Sequence, residues 1–590
     1  MLRYPSPMEK IGGSFRLSAS DLVGYLNCRH LTALDRAVAE GTRAKPKVWD
    51  PLLEILRERG AIHEQKYVDH LANAGLKVVR IDGIDVTDSG IAETSVAMKD
   101  GAEVIVQGAL AHDGWAGRAD ILRRVETPSA LGAWSYEAID TKLARETKAG
   151  TVLQLCLYSD LLHAVQGVAP EWMYVVVPWS DFEPQCYRFA DYGAYYRQVK
   201  TGLAASLAAG DGERTYPDPI AHCDICRWRE DCEKRRRDDD HICLVAGISK
   251  LQINELKAHG VATLQDLAAM SLPLAWKPGR GSPEALIRVC EQARIQYEAR
   301  ASGARKFELM PVEHGFGLTR LPAPSEGDIF LDLEGDPFVG EHGLEYLFGY
   351  LFAGADGETT YRGEWAFTRA DEKQAFERFV DFVMARWEVF PDLHIYHYAP
   401  YEPAALKRLM GHYASREDEI DRMLRATLFV DLYQVVRHAV RASVESYSIK
   451  QLESFFGFER ETPLTEANVA LAALQANLEL GDPTSIPDES KEAVRAYNRD
   501  DCAAAAGLRD WLEKLRGELV AGGTDVPRPE PGEGAPNEKI SAWLALIGPL
   551  FEKLTADIPP DHEERNDDQQ ARWILANLLD YHRREEKSVW

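Results

Sequence analysis

From Leu17 the apolar positions recur with a helical period. LSASDLVGYLNCRHLTALD and PLLEILRERGAIHEQKYVDHLANAG place their apolar side chains three and four residues apart, and Ser18 or Ser20 suits the first N-cap. Cys28 lies within the first of these predicted helices, and His63 and Glu64 lie in the second. The pattern then shortens. VVRIDGIDV, AEVIVQGAL, WAGRADILRRV and WSYEAIDTKL, separated by turn residues, predict strands whose moderate alternation suits a sheet covered on one face by helices. A helix, TVLQLCLYSDLLHAV, and a strand, EWMYVVVPW, complete an α/β core over residues 1–240.

After the charged run RRRDDDH, two short helical patterns flank an HGV turn in VAGISKLQINELKAHGVATLQDLAAM, and a third helix, SPEALIRVCEQARIQYEARAS, follows. Residues 241–305 therefore read as a helix-hairpin-helix-like module, which grips a phosphate backbone or serves as a spacer. A second α/β domain is predicted over 325–520. Its strands are DIFLDLEGDPF, EYLFGYLF, TTYRGEWAF and the start of LHIYHYAPYEPAALKRLM, and its helices include ADEKQAFERFVDFVMARW and YNRDDCAAAAGLRDWL. VAGGTDVPRPEPGEGAPNE reads as a Pro/Gly linker over 521–540, before a helical segment over 541–590.

A chain of 590 residues exceeds a single core, and multiple domains are expected. No run approaches the roughly 18 apolar residues of a membrane span, and the N-terminus lacks a signal-like apolar stretch. A cytoplasmic protein without membrane association is expected. The formal net charge of -26 argues against broad coating of nucleic acid but leaves room for a local basic groove.

The chemistry concentrates in two places. In the first domain Asp120 sits in one apolar run, and Asp140 and Lys142 close the next. Two carboxylates and a lysine on adjacent strands are what metal-dependent phosphodiester cleavage requires: acids for a divalent cation, and a lysine for the attacking water and the phosphate charge. His63 is a suitable further ligand, with imidazole tilting the choice of Mn²⁺ or Mg²⁺ toward manganese. Gln154 and Tyr158 fall one helical turn apart, placed to support the lysine or position a strand. In the second domain Asp332 and Glu334 occupy alternate positions of one strand and so share a face. Glu402 and Asp431 follow at later strand ends, and Tyr497 and Asp501 lie one helical turn apart.

Nine cysteines, an odd number, in a reducing compartment favour a metal or cluster over disulfides. Cys223-x2-Cys226-x5-Cys232 supplies three thiolates, with Cys28 as the candidate fourth, and this spacing suits zinc or an iron–sulfur cluster.

These motifs resemble known families. The N-terminal region is similar to the RecB-like PD-(D/E)xK exonucleases with an iron–sulfur staple, as in AddB and the CRISPR-associated RecB-like nucleases, where one cysteine precedes the nuclease core and three follow it. The resemblance implies a structural 4Fe-4S cluster on Cys28, Cys223, Cys226 and Cys232. It also implies a catalytic set of His63, Asp120, Asp140, Lys142, Gln154 and Tyr158. The second domain resembles the RNase H-like DEDD exonucleases, in particular the YprB type. There D-x-E matches Asp332 and Glu334, and Y-x-x-x-D matches Tyr497 and Asp501. The second motif departs from that pattern, with His397 for Asn and Glu402 for Asp. The resemblance implies metal ligation by Asp332, Glu334, Glu402 and Asp501, with Tyr497 orienting water.

Together the resemblances imply a metal-dependent nuclease acting on single-stranded DNA ends, with a second 3′–5′ exonuclease site, in DNA repair, recombination or defence. Longer members of the two-domain family continue into a superfamily 1 helicase. No G-x-x-x-x-G-K-[ST] occurs here, so no ATP hydrolysis is expected of this chain, which is either a truncated form of a longer helicase-nuclease or works with a helicase in trans. Two other readings are a nucleic-acid-binding adaptor with one or both sites inactive, and an RNA-processing exonuclease.

Overall fold

Two units divide the chain. The first comprises Met1–Cys243, Pro337–Gly343 and Ala472–Ile486; the second comprises Leu244–Asp336, Leu344–Leu471 and Pro487–Trp590. The structure, a computed structural model, describes residues 8–46, 51–83, 85–143, 147–209, 215–340, 342–354, 357–479, 481–530, 532, 534–535, 538–559 and 564–583, with the side chains of 51–56 outside that description. Among the described residues no helix is long and apolar enough to cross a membrane.

The first unit opens with α1 (Ala19–Asn27), and Ser18 is its N-cap: the Ser18 hydroxyl accepts from the Asp21 amide while the Asp21 carboxylate takes the Ser18 amide at 2.8 Å. Cys28 does not lie inside a helix as expected. It stands between α1 and α2 (Arg29–Ala39), where its extended backbone makes it the N-cap of α2. A long helix, α3 (Pro51–Asn73), precedes the sheet. The strands are β1 (Val78–Arg80), β2 (Val104–His112), β3 (Trp115–Val125), β4 (Ser135–Thr141), β5 (Trp172–Val176) and β6 (Gln185–Arg188), arranged in sequence order in one six-stranded sheet. Pairs β1–β2 and β4–β5 are parallel and the rest antiparallel. Strand β1 is shorter than its apolar run because the chain turns at Gly83, with φ of 100°, and the Arg118 guanidinium takes the Ile81 carbonyl at 2.7 Å.

Both faces of this sheet are covered, not one. Helix α1 and helix α4 (Ala149–Gln166) pack with Ile105, Leu122 and Ala138, while Tyr67, Val68 and Leu71 of α3 pack with Val104, Val106, Ile121 and Ile139. Two covers explain why alternation was only moderate: residues on either face of a strand are apolar. Helix α5 (Arg229–Asp238) follows the cysteine-rich loop.

The second unit begins with the helical module: α6 (Lys250–Ala258), α7 (Leu264–Ala268) and α8 (Pro283–Ser302). Its sheet holds β7 (Ile329–Asp336), β8 (Leu344–Ala353), β9 (Thr359–Trp365), β10 (Ile395–His397) and β11 (Phe429–Asp431), in the order β9-β8-β7-β10-β11. The first three strands form an antiparallel meander, and β10 and β11 join parallel to β7. Helices α9 (Arg369–Val389) and α10 (Tyr401–Tyr413) cover one face through Phe376, Phe379 and Leu406. Next come α11 (Leu432–Ala439) and α12 (Ile449–Phe456). The 34-residue α13 (Asp488–Ala521) covers the other face through Cys502, Ala505 and Leu508. Beyond α13 the Pro/Gly-rich segment is anchored in part: Val526 is buried, and Arg528 makes a two-pronged pair with Glu513 at 2.7 and 2.8 Å.

Candidate functional site

Strand β7 carries the second unit's acids. Its burial alternates around Asp332 and Glu334, so both carboxylates project to the side faced by α13, and Asp501 is delivered from that helix. One carboxylate oxygen from each of Asp332, Glu334 and Asp501 lies within 4.8 Å of the others. Among the described residues this is the one group of three or more acidic, histidine or cysteine side chains so close together. Burial, followed by the charge of Asp501, pushes the Glu334 carboxyl up to about 8 and the Asp332 carboxyl well above its ordinary range. Three carboxyl groups this close together, two of them pushed toward the neutral form by burial, fit a divalent cation that would hold them as carboxylates.

Neighbouring side chains orient this set. The Asn498 amide, one residue after Tyr497, donates to the Asp332 carboxylate at 2.7 Å and to its carbonyl at 3.0 Å, while accepting from the Tyr361 hydroxyl at 2.8 Å. Gly349 permits this, since a Cβ there would stand 1.5 Å from Asn498 Oδ1. Arg460 pairs with Asp501 at 2.6 Å. Lys450 of α12 donates to the Tyr497 hydroxyl, its Nζ 4.8 Å from the ring centre. Asn498, Lys450 and Arg460 escape sequence reading, since no fixed spacing ties them to the acids.

Glu402 stands outside the close set. It lies in the first turn of α10 with Oε2 3.5 Å from His397 Nδ1, and that buried oxygen makes no hydrogen bond. Asp431 is spent on structure, accepting the amides of Ala399 and Tyr433, each at 2.9 Å.

In the first unit Asp120 and Asp140 lie just beyond the paired part of β3 and β4, which ends at Ile121 and Ile139. Asp120 accepts the Thr141 amide at 3.0 Å, and Asp140 accepts from Gln154 at 3.0 Å and pairs with Lys142 at 2.8 Å. Gln154 also donates to the Tyr158 hydroxyl at 3.1 Å, confirming the expected shared face. A Cβ on Gly117 would stand 2.6 Å from the Tyr158 ring, so the ring's seat requires glycine. Burial raises the Asp140 carboxyl to about 7, against the lowering effect of Lys142.

Asp120, Lys142, Gln154 and Tyr158 line a cavity of about 650 Å³ together with Glu64 and Gln107. His63 does not line it. Its Nε2 is 3.0 Å from the Val176 carbonyl, and its neighbour Glu64, raised by burial and by Asp120, takes the place facing the cavity. Opposite Asp120 the β2–β3 ladder skips Gln107, a non-glycine residue held at φ of 56°, the kind of backbone strain found at functional sites.

The four cysteines also converge. Cys28, Cys223, Cys226 and Cys232 line one small pocket under Leu31, Leu34 and Trp228. Cys28 Sγ accepts the Leu31 amide at 3.4 Å, which fixes its side chain at the start of α2. Asp35 of α2 takes the Trp228 indole at 3.0 Å and pairs with Arg227, tying the distant ends of the unit together. No three of the sulfurs lie within 4.8 Å of one another, whereas four thiolates on one zinc stand about 3.8 Å apart.

With this geometry in hand, comparison with known families is decisive for one part of the chain. Residues 329–513 match the RNase_H_2 model of the RNase H superfamily. The match begins on β7 and ends within α13, so it contains every acid of the close three-carboxylate set. The curated proteins contain no match to the chain. The match and the three-acid group together point to a nuclease-type fold in this segment, with acids that could hold a metal.

Proposed function

We propose that the protein is a metal-dependent nuclease acting on single-stranded DNA ends, with its RNase H-like site as a 3′–5′ exonuclease centre. The observation that carries this is the convergence of Asp332, Glu334 and Asp501 within 4.8 Å inside the segment matched to the RNase H superfamily. These three residues would hold Mn²⁺ or Mg²⁺, with Glu402 Oε2 as a further oxygen nearby. A cation held there supplies charge neutralisation at the phosphate and a more acidic water. Asn498 keeps the Asp332 carboxylate in one orientation, and Tyr497, its hydroxyl held by Lys450, is placed to position the attacking water.

The first unit is proposed as a RecB-like PD-(D/E)xK site. Asp120 and Asp140 would bind metal, with Glu64 or His63 as the further ligand, and Lys142 would assist the water. Gln154 holds Asp140 and Tyr158 in place. Cys28, Cys223, Cys226 and Cys232 fit a 4Fe-4S cluster, whose role would be to join the ends of the unit. A helicase acting in trans would supply the single strand.

A second reading, a nucleic-acid-binding adaptor, is favoured by two observations: Arg460 occupies an oxygen of Asp501, and Glu402 faces His397. Digestion of 5′- and 3′-labelled single-stranded DNA by anaerobically purified protein, with Mn²⁺ or with chelator, separates the two. Cleavage lost on chelation supports the nuclease. Binding that survives chelation without any cleavage supports the adaptor. Matched DNA and RNA oligonucleotides test an RNA-processing role through the 2′-hydroxyl.

A further inference from the structure

The second unit holds a cleft of about 1390 Å³, larger than the roughly 300–1,000 Å³ of small-molecule sites. One wall is α8 with Arg288, and the other is α11 with Tyr433, Arg437 and His438; Phe316 and Tyr398 add aromatic surface to the lining. In a chain of net charge -26 this cleft is locally basic. Arg288 and Arg437 are exposed, and neither is in an ion pair among the described residues. Arg441 is neutralised by Glu308 at 3.2 Å and Glu291 at 3.6 Å, and Glu445 at the rim is 3.4 Å from Arg300, which leaves Glu313 as the other acid of the lining. Burial and the charges of Arg437, Arg288 and Arg320 lower the His438 pKa, so the ring stays neutral at pH 7. Aromatic surface is interleaved with the charge. Phe316 is exposed with its ring 5.4 Å from His438, and Tyr433 packs edge-on to Tyr398 at 5.7 Å.

Two short pieces of chain connect this cleft to the acids. Tyr398 and Ala399 line it, and three residues further on Glu402 opens α10 with its unbonded oxygen. Ser446 and Ser448 line it, and two residues further on Lys450 grips Tyr497. Guanidinium groups without acid partners, flat rings between them, and a route to a phosphodiester-cleaving centre together match a nucleic-acid strand. Its phosphates pair with arginine while its bases stack on the rings. We propose that this cleft, between the helical module and the RNase H-like sheet, holds single-stranded DNA and feeds it to Asp332, Glu334 and Asp501. The inference rests on the nuclease reading and names where its substrate lies.

The test is fluorescence anisotropy of a labelled oligothymidylate of about 20 nucleotides with the full chain in chelator. Wild type is compared with Arg288→Ala/Arg437→Ala and, as a single-arginine control outside the cleft to be set beside Arg437→Gln, Arg378→Ala. The double variant should bind about tenfold more weakly, and its dependence of log affinity on log salt should flatten by about 1.4 for two lost phosphate contacts. Arg378→Ala should stay within about twofold of wild type. Circular dichroism checks folding, and Arg437→Gln alone provides a milder variant that should show about half the change in slope. An unchanged affinity and slope in the double variant would overturn the proposal. So would competition in which polyglutamate, and not the oligonucleotide, depends on the two arginines. Because the assay contains no divalent cation, it reads binding apart from cleavage; a wild type that binds here but does not cleave the same strand once Mn²⁺ is added counts against the nuclease reading and leaves the cleft assignment standing.

Discussion

Asp140 in the first unit faces a lysine at 2.8 Å, whereas Asp332 and Glu334 in the second face Asp501 and each other. In the first unit Lys142 offsets part of the charge of the buried Asp140, and hydrogen bonds from Thr141 and Gln154 orient the two carboxylates. In the second unit Arg460 meets Asp501 alone of the three acids and is shared with Glu453, and Lys450 donates to Tyr497. The contrast teaches that the same acidic residue types create different demands for a bound ion. On the proposed reading the lysine-bearing site would gain chemistry from a metal while keeping an internal counter-charge, whereas the three-acid site, with Asp332 and Glu334 pushed toward the neutral form, would depend on the ion to hold its acids as carboxylates.

The sharpest way to break this comparison is to remove one acid from the second unit. Asp332→Asn should lower Mn²⁺-dependent 3′-end digestion on the order of 10³-fold or more, measured on end-labelled DNA, and leave cleavage by the Lys142 site intact. Lys142→Ala should do the converse, with a loss of about 10²- to 10³-fold in the first unit's cleavage. Simultaneous loss of both activities in either variant would mean one composite site and would end the comparison.

Cys226→Ser comes next in size. It should remove any brown colour and absorbance of a cluster and lower the melting temperature of the first unit, because ligand binding at a thiolate site is coupled to folding. Retained absorbance would show that the ligand set is wrong.

The smallest effect is on the pH dependence of stability. Without metal, the folded chain keeps the Glu334 proton up to about pH 8, while the unfolded chain releases it near 4.5. The folded state then binds more protons between those values, so stability should fall as pH rises through this window. Asp140, raised to about 7, acts in the same direction over a narrower range. Urea unfolding in chelator at pH 5, 6.5 and 8 should show the decline, and Glu334→Gln should flatten it.

Much of this was legible in the chain. Alternation in β7 announced two acids on one face, and the four-residue step from Tyr497 to Asp501 announced a helix presenting both. The run from Gly117 to Tyr158 gave the strands and helix that hold the Asp120 and Asp140 carboxylates. Other features were not legible for physical reasons. Cys28 interrupts an unbroken apolar period because a thiol at an N-cap looks, in sequence, like any small core residue. Glu64 and His63 are adjacent, and only the pitch of α3 decides which one faces the cavity. Asn498 sits inside the Y-x-x-x-D motif of Tyr497 and Asp501, but its grip on Asp332 depends on a glycine on β8 that no local pattern marks as special.

The most direct test of the central claim is calorimetric titration of Mn²⁺ into the metal-free protein at pH 7, comparing wild type with Asp332→Asn/Asp501→Asn in two buffers of different ionisation enthalpy. The account predicts a binding event in wild type that releases protons, as Glu334 and Asp332 give theirs up to the ion, and that is missing from the double variant. An identical isotherm in both proteins, or binding without proton release, would contradict it.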